Sequence, residues 1–221
     1  MNRPLLLVGG GGHCKSVIEA AESAGFTIRG FLDLPQLAGR KILDYEMIGS
    51  DNDIPRYVDE CDFVVTLGFI KDPALRIRLH DRIEEAGGRF ATIVASTAHV
   101  SRHATLGEGT VVLHQAAVNA GAQVGKGCII NTFANIEHDA VVGDYCHIST
   151  GAMVNGDCRI GDNTFLGSLS VMVNAVSVPA NSVFAAGSMI RKTLRQPGMY
   201  AGNPAVLMKQ SNVNNIKIWG G

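Results

Sequence analysis

The chain is 221 residues long and 46% hydrophobic, and its 19 Lys and Arg against 20 Asp and Glu leave a net charge of -1. That length can bury a sizeable core. The charge offers nucleic acid no basic field, and no stretch of eighteen apolar residues could span a bilayer. Five cysteines, an odd number without metal-ligand spacing, argue against a disulfide scaffold, and no metal is expected. The N-terminus runs straight into a strand pattern without the marks of a signal peptide, so the expected compartment is the cytoplasm.

The first third alternates strand and helix signals. Leu5 to Val8 is a short buried strand, residues 9–12 are four consecutive glycines, and His13 to Ala24 reads as a helix with Val17, Ile18 and Ala21 on one face. A second strand, Thr27 to Leu32, ends at Asp33. Phe63 to Leu67 forms a third, followed by Gly68 and a helix from Ala74 to Ala86. The pattern predicts a small open α/β sheet, a Rossmann-like domain over residues 1–92.

A glycine turn between strand and helix lets backbone N–H groups and the positive helix end approach a phosphate. Asp33, closing the second strand, stands where a carboxylate accepts from ribose hydroxyls or a base. A nucleotide diphosphate is the ligand these features suggest, although glycine turns also arise to pack helix on strand. About 90 residues are too few for the two halves of an NAD-binding domain.

From Val100 to Ile190 a large apolar residue stands at every sixth position without a skip, through Val118, Ile136, Val154, Met172 and the members between. Four places after each comes a small or slender residue, as at Ala116, Ala134, Cys146, Ala152 and Ser170. A period of six fits neither an α-helix nor an isolated strand; it fits short straight segments joined by corners, three to a turn. Eighteen residues then close one triangular coil, and stacked coils about 4.8 Å apart bury continuous columns. This predicts an all-β parallel β-helix of about five coils over 93–194. Cys128, Cys146 and Cys158 fall in the small column and read as core thiols.

One coil breaks the bland pattern with Asn131, Asn135, Glu137, His138 and Asp139, followed by His147 in the next segment. His138 occupies the third place of its hexad, off the inward columns, so its ring is expected to project outward. Asp139 is placed to orient it and raise its basicity. Eighteen residues on stands Gly156, leaving room beside the ring for a substrate. His103 and His114 lie on the same prism without such company and receive no role.

These residues resemble a known family. The hexad array is similar to that of left-handed β-helix acyltransferases. Gly10 to His13, Asp33, Gly68, Ile136 to Asp139, His147 to Ser149 and Gly202 to Ala205 together look like the nucleotide-aminosugar N-acetyltransferases of the PglD and NeuD group. The resemblance covers nearly the whole chain. It implies an acetyl-CoA-dependent sugar N-acetyltransferase of bacterial surface glycan synthesis, a homotrimer with acetyl-CoA lying between neighbouring subunits and a UDP-, GDP- or dTDP-linked amino sugar reaching across from the first domain. His138 would be the general base and Asp139 its supporting acid. His147 would contact the thioester region, and Gly156, Ser168 and Ala186 would line the coenzyme arm. Gly11, Gly12 and His13 would face the sugar nucleotide's phosphates, with Asp33 and Gly68 holding the nucleoside.

The chain departs from the group at Asp139, where a glutamate is usual, at Leu34, where a second acid often stands, and at the longer loop from Gly68 to Arg76. Lys71 in that loop reads either as a phosphate or carboxylate ligand or as a solvated lysine. O-acetylation of a sialic-acid-like sugar and a non-catalytic β-helix binding module are the alternative functions. After Ile190 the segment Arg191 to Gly198 reads as a loop leaving the prism, and residues 195–221 as a C-terminal extension. Val206 replaces a commonly basic residue, which leaves Lys209 as the nearest partner for a coenzyme phosphate. The polar tail Asn212 to Gly221 is expected to be loosely held.

Overall fold

The computed structural model describes residues 3–210, with Lys209 and Gln210 described through their backbone; the tail from Asn212 lies outside the described residues. The first domain contains β1 (Leu5–Val8), α1 (Gly12–Ser23), β2 (Ile28–Asp33), β3 (Lys41–Ile42), β4 (Tyr45–Ser50), β5 (Asp62–Val65), α2 (Ala74–Glu85) and β6 (Arg89–Phe90). Its six-stranded sheet runs β3-β4-β2-β1-β5-β6. All four residues of β1 are fully buried, as a central parallel strand covered on both faces must be. The hairpin of β3 and β4 at the sheet edge has no counterpart in the sequence reading, because its short, half-polar strands carry no clean alternation.

From Ile93 onward the chain coils into a prism of two-residue strands forming three parallel sheets. Each strand pairs with the one eighteen residues later: Ile130 opposes Ile148 on the first face, Ile136 opposes Val154 on the second and Val142 opposes Ile160 on the third. The second residue of each strand points inward, and Ile130, Ile136, Ile148 and Val154 are fully buried in one continuous core. The column begins one hexad earlier than the sequence reading placed it, at Val94. Corners carry left-handed backbone, at Asp139, Asp157 and Asn163 among others, where short polar side chains are the best-tolerated alternative to glycine. The five cysteines are free and buried.

Past Ile190 residues 191–197 form the expected loop, but the chain then comes back to the prism. Gly198–Ala201 returns to pair with Val183–Phe184 on the first face, and Val206–Gln210 folds back antiparallel upon it. The ladder bonds of the first face thereby continue beyond the last hexad.

The two domains share a core. Cys14, Val17, Ile18 and Ala21 on α1 pack between the sheet (Leu5, Leu7, Val64) and the first prism face (Ile93, Val111, Ile129). Those three prism residues are outward-facing first members of their strands. The same column continues upward as His147, Phe165 and Val183, so His147 marks where the cover of α1 gives way to a cavity.

Candidate active site

Two cavities meet over the first face. One, about 620 Å³, is lined by Gly11, Gly12 and His13 at the start of α1 and by Thr66 to Asp72 and His147. The other, about 360 Å³, is lined by Ile70, His147, Ser149, Phe165, Gly167 and Ser168, then by Val183 to Ala186 and Met199. They share only Ile70 and His147. The glycine turn and helix end of the first cavity present backbone donors suited to an anionic ligand. The second is narrow and apolar along strand faces and small at its corner, a shape suited to a slender chain.

The partition between them is the loop after β5, and it is pinned from both sides. Phe69 packs on Phe165, Val183 and Met199, and its carbonyl accepts a hydrogen bond from His147 Nδ1 at 2.8 Å. That bond fixes the tautomer, so Nε2 is the acceptor facing Asn131 Nδ2 at 3.2 Å. Burial lowers the pKa of His147 to about 4, with the Phe69 carbonyl opposing and Arg76 adding to the shift. The sequence expects this histidine at the thioester; the structure places it as a buried, neutral strut that faces both cavities.

Arg76 holds the other side of the loop. It is 1% exposed. Its guanidinium donates to the carbonyls of Val65 at 2.6 Å and Leu67 at 2.8 Å, and across the domain boundary to the carbonyl of Gly127 at 3.1 and 3.0 Å. Burial pulls its pKa down to about 10. Nearby, His80 stacks on Phe90 with centroids 4.7 Å apart and meets Tyr145 edge-on. Burial lowers the pKa of His13 to about 3, with help from His147 and Arg76, so it is a neutral hydrogen-bonding group whose Nε2 has no partner.

Asp33 bonds within its own domain. One carboxylate oxygen accepts from the Gly10 amide at 3.0 Å and the other from the Leu34 amide at 2.8 Å, with Arg40 at 3.8 Å. It organises the glycine turn and lines neither cavity. Gly68 lies between the rings of His13 and His147, where an added Cβ would meet both below 4 Å.

His138 lies elsewhere. It sits at the corner between the second and third faces, whereas the second cavity occupies the first face and the corner between first and second. The imidazole is 55% exposed, and its Nδ1 stands 3.0 Å from Asp139 Oδ2. That hydrogen bond raises its pKa. A Cβ on Gly156 would lie 2.6 Å from the ring's Cε1 and Nε2, and one on Gly121 would lie within contact of the Asp139 carboxylate. The space over Gly156 is thus filled by the imidazole itself and not left open for a substrate. Behind the pair runs a chain from Asn119 to Asn135 to Glu137, whose carboxylate accepts from the His138 amide.

Arg76 and the Phe69 wedge were missed from sequence because they act across the domain boundary. A partial signal existed for the covered face: its outward position is apolar three times in succession at Ile93, Val111 and Ile129, while the second face alternates there through His99, Ala117, Asn135 and Met153 and the third runs Thr105, Gln123, Val141 and Arg159.

Residues 4–83 match the family model of the PglD N-terminal domain, and residues 121–156 match that of the bacterial transferase hexapeptide, six repeats. The acetyltransferase domain of PglB from Neisseria gonorrhoeae superposes with a TM-score of 0.88 at 28% identity, over 94% of this chain and 100% of that one. The same domain is also known in complex with acetyl coenzyme A. PerB from Caulobacter crescentus, in complex with CoA and GDP-perosamine, gives a TM-score of 0.86 at 28% identity over 93% and 97%. WeeI from Acinetobacter baumannii, at 19% identity and a TM-score of 0.83 over 93% and 99%, shares the fold. No match is found among curated proteins. In sequence and in structure the chain resembles these proteins, with a region that matches the PglD N-terminal domain joined to a β-helix that matches the hexapeptide transferases.

Proposed function

We propose that the protein transfers the acetyl group of acetyl-CoA to the amino group of a nucleotide-linked amino sugar. The observation that carries this reading is the His138 and Asp139 pair, exposed on a corner otherwise built of small or polar residues. Two adjoining cavities support it, one suited to a phosphate-bearing ligand and one to a pantetheine chain. The likeness to PglB and to PerB bound to CoA and GDP-perosamine supports the substrate classes.

In the proposed reaction the neutral amine attacks the thioester carbonyl carbon. The C–N bond forms, His138 Nε2 takes the amine proton, and the tetrahedral intermediate collapses with loss of the C–S bond and protonation of the departing thiolate. The Asp139 carboxylate on Nδ1 keeps the lone pair on Nε2. General base action contributes about 10²- to 10⁴-fold, and the rest comes from holding both substrates together. The five cysteines are buried, three in the prism and two in the first domain, and supply no acyl carrier in this scheme.

Since His138 and the cavities occupy different corners, a complete site joins the cavities of one copy to the base of another. A homotrimer meets that requirement. The first corner carries Phe133 and Leu169, 59% and 71% exposed and both held at positive φ, bulky apolar residues where glycine or asparagine would be less strained. Such residues are expected under a neighbouring copy.

Incubation with acetyl-CoA and a panel of UDP-, GDP- and dTDP-linked amino sugars, following release of the CoA thiol, tests the reading. Turnover is expected with a member of the panel, and His138→Ala is expected to lose at least about 100-fold in kcat while remaining folded. Acetylation of a free or CMP-linked nonulosonate hydroxyl in place of the amine would overturn it.

A further inference from the structure

Ligands held in the two cavities meet at a neck. Among the described residues the cavities share Ile70 and His147, so an amine reaching out of the first finds a thioester in the second between these two side chains. His147 is the floor of the neck, and the floor is rigid. Its ring lies against those of Phe165, Phe69 and His13, with centroids 5.1, 5.7 and 6.2 Å away. Nδ1 donates to the Phe69 carbonyl at 2.8 Å and Nε2 accepts from Asn131 Nδ2 at 3.2 Å, which leaves the imidazole neither room to turn nor a polar edge to spare. Phe69 has no way to retreat, being buried against Phe165, Val183 and Met199.

Ile70 is the roof. It follows the anchored Phe69 directly, yet it is 52% exposed, standing over open space instead of packing into the cluster that holds its neighbour. Its height is fixed on both sides, by the Phe69 carbonyl on His147 and by Arg76 on the carbonyls of Val65 and Leu67. The neck is therefore a slot with an aromatic floor and an aliphatic roof, and the polar atoms of its floor are already paired. Such a slot holds a small alkyl group by dispersion, and a hydroxyl placed there loses its water without gaining a partner. We propose that Ile70 selects the acyl group that is transferred: acetyl fits between it and His147, whereas longer or hydroxylated acyl chains collide with it or are stranded against it. The assignment rests on the acyl-transfer reading above and adds to it the residue that measures the donor. A single methylene in an apolar pocket is discriminated by about 10- to 200-fold, enough for one side chain to decide the donor.

The test measures kcat/KM with acetyl-, propanoyl-, butanoyl- and 3-hydroxybutanoyl-CoA and reads the ratios between donors. The unaltered protein is expected to favour acetyl-CoA over butanoyl-CoA by at least about 100-fold. Ile70→Ala takes more carbon from the roof than a butanoyl group adds to acetyl, and it is expected to shrink that preference about ten- to a hundredfold while the hydroxylated donor gains less than the plain one. Ile70→Phe is expected to act in the opposite direction and widen the gap between acetyl-CoA and propanoyl-CoA. The side chain is exposed, so both variants are expected to keep the urea midpoint of their parent. Equal use of acetyl- and butanoyl-CoA by the unaltered protein overturns the proposal, as does a preference unmoved in both variants or an equal loss with every donor. Should the unaltered protein acylate no nucleotide-linked amino sugar with any donor, the functional reading fails separately. Calorimetric binding of acetyl-CoA and butanoyl-CoA in the absence of acceptor then decides the filter by the same ratios, and binding of neither overturns it.

Discussion

At the scale of single residues, the proposed base, His138, is an ordinary surface histidine made unusual by three neighbours. Asp139 takes the left-handed corner conformation that lets its carboxylate turn back on the ring, Gly121 leaves that carboxylate its space, and Gly156 lets the ring lie flat on the prism. The hydrogen bond to Asp139 favours the imidazolium and holds the pKa above the ordinary histidine value. A base must be unprotonated, so kcat/KM is expected to fall as pH drops through that raised pKa. In Asp139→Asn the pKa returns toward its usual place, and the acid limb of the pH-rate profile is expected to move to lower pH while the plateau drops through poorer orientation. An unmoved acid limb would separate His138 from the chemistry. The exposed pair was legible in the hexads, because position within a hexad dictates inward or outward. That Asp33 accepts from the Gly10 and Leu34 amides was not, because a carboxylate at a strand end carries no sequence mark of which backbone amides it meets.

Among elements, the junction of α2 with the prism deserves most weight, since the partition between the cavities hangs on it. Arg76 satisfies three carbonyls from two domains with one side chain. Replacing it with Met would orphan all three, each at about 1–3 kcal/mol, so Arg76→Met is expected to lose about 3 kcal/mol or more in urea unfolding. A loss below about 1 kcal/mol would mean that water takes the place of the guanidinium. The strands and helices flanking this junction, β1, α1, β5 and α2, are read closely from the sequence because each has its own periodicity. The junction is invisible there, because an arginine on a helix facing a glycine corner more than fifty residues away leaves no periodic trace.

For the molecule as a whole, buried neutral histidines couple stability to acidity. His80 and His147 are held neutral by burial, with pKa values lowered to about 3 and about 4. An unfolded chain binds protons at these sites below about pH 6.5 while the native state does not. Stability from this source is therefore complete above that pH and is lost as pH falls toward the native pKa values. The slope is up to about 1.4 kcal/mol per pH unit for each histidine. The urea midpoint is expected to be lower at pH 5 than at pH 7, and His80→Phe, which keeps the stack on Phe90 without a proton to bind, is expected to reduce that difference.

Assembly gives a second prediction at this scale. His138→Ala and Ala186→Trp damage opposite walls of the proposed shared groove. Each is expected to be inactive alone, yet activity is expected to return when the two are unfolded together and refolded as mixed oligomers. Continued inactivity of the mixture would place base and cavity within one copy.

The eighteen-residue rise has one more consequence. A prism whose coils repeat by translation behaves as a ruler, with one graduation for each turn of chain. Insertion of one whole coil between Gly156 and Asn174 is expected to keep the prism stacked, since each coil pairs only with its neighbours, yet to move His138 and the top of the prism apart by about 4.8 Å. Counting turns, more than changing any side chain, would then decide how far the proposed base stands from the end of the prism.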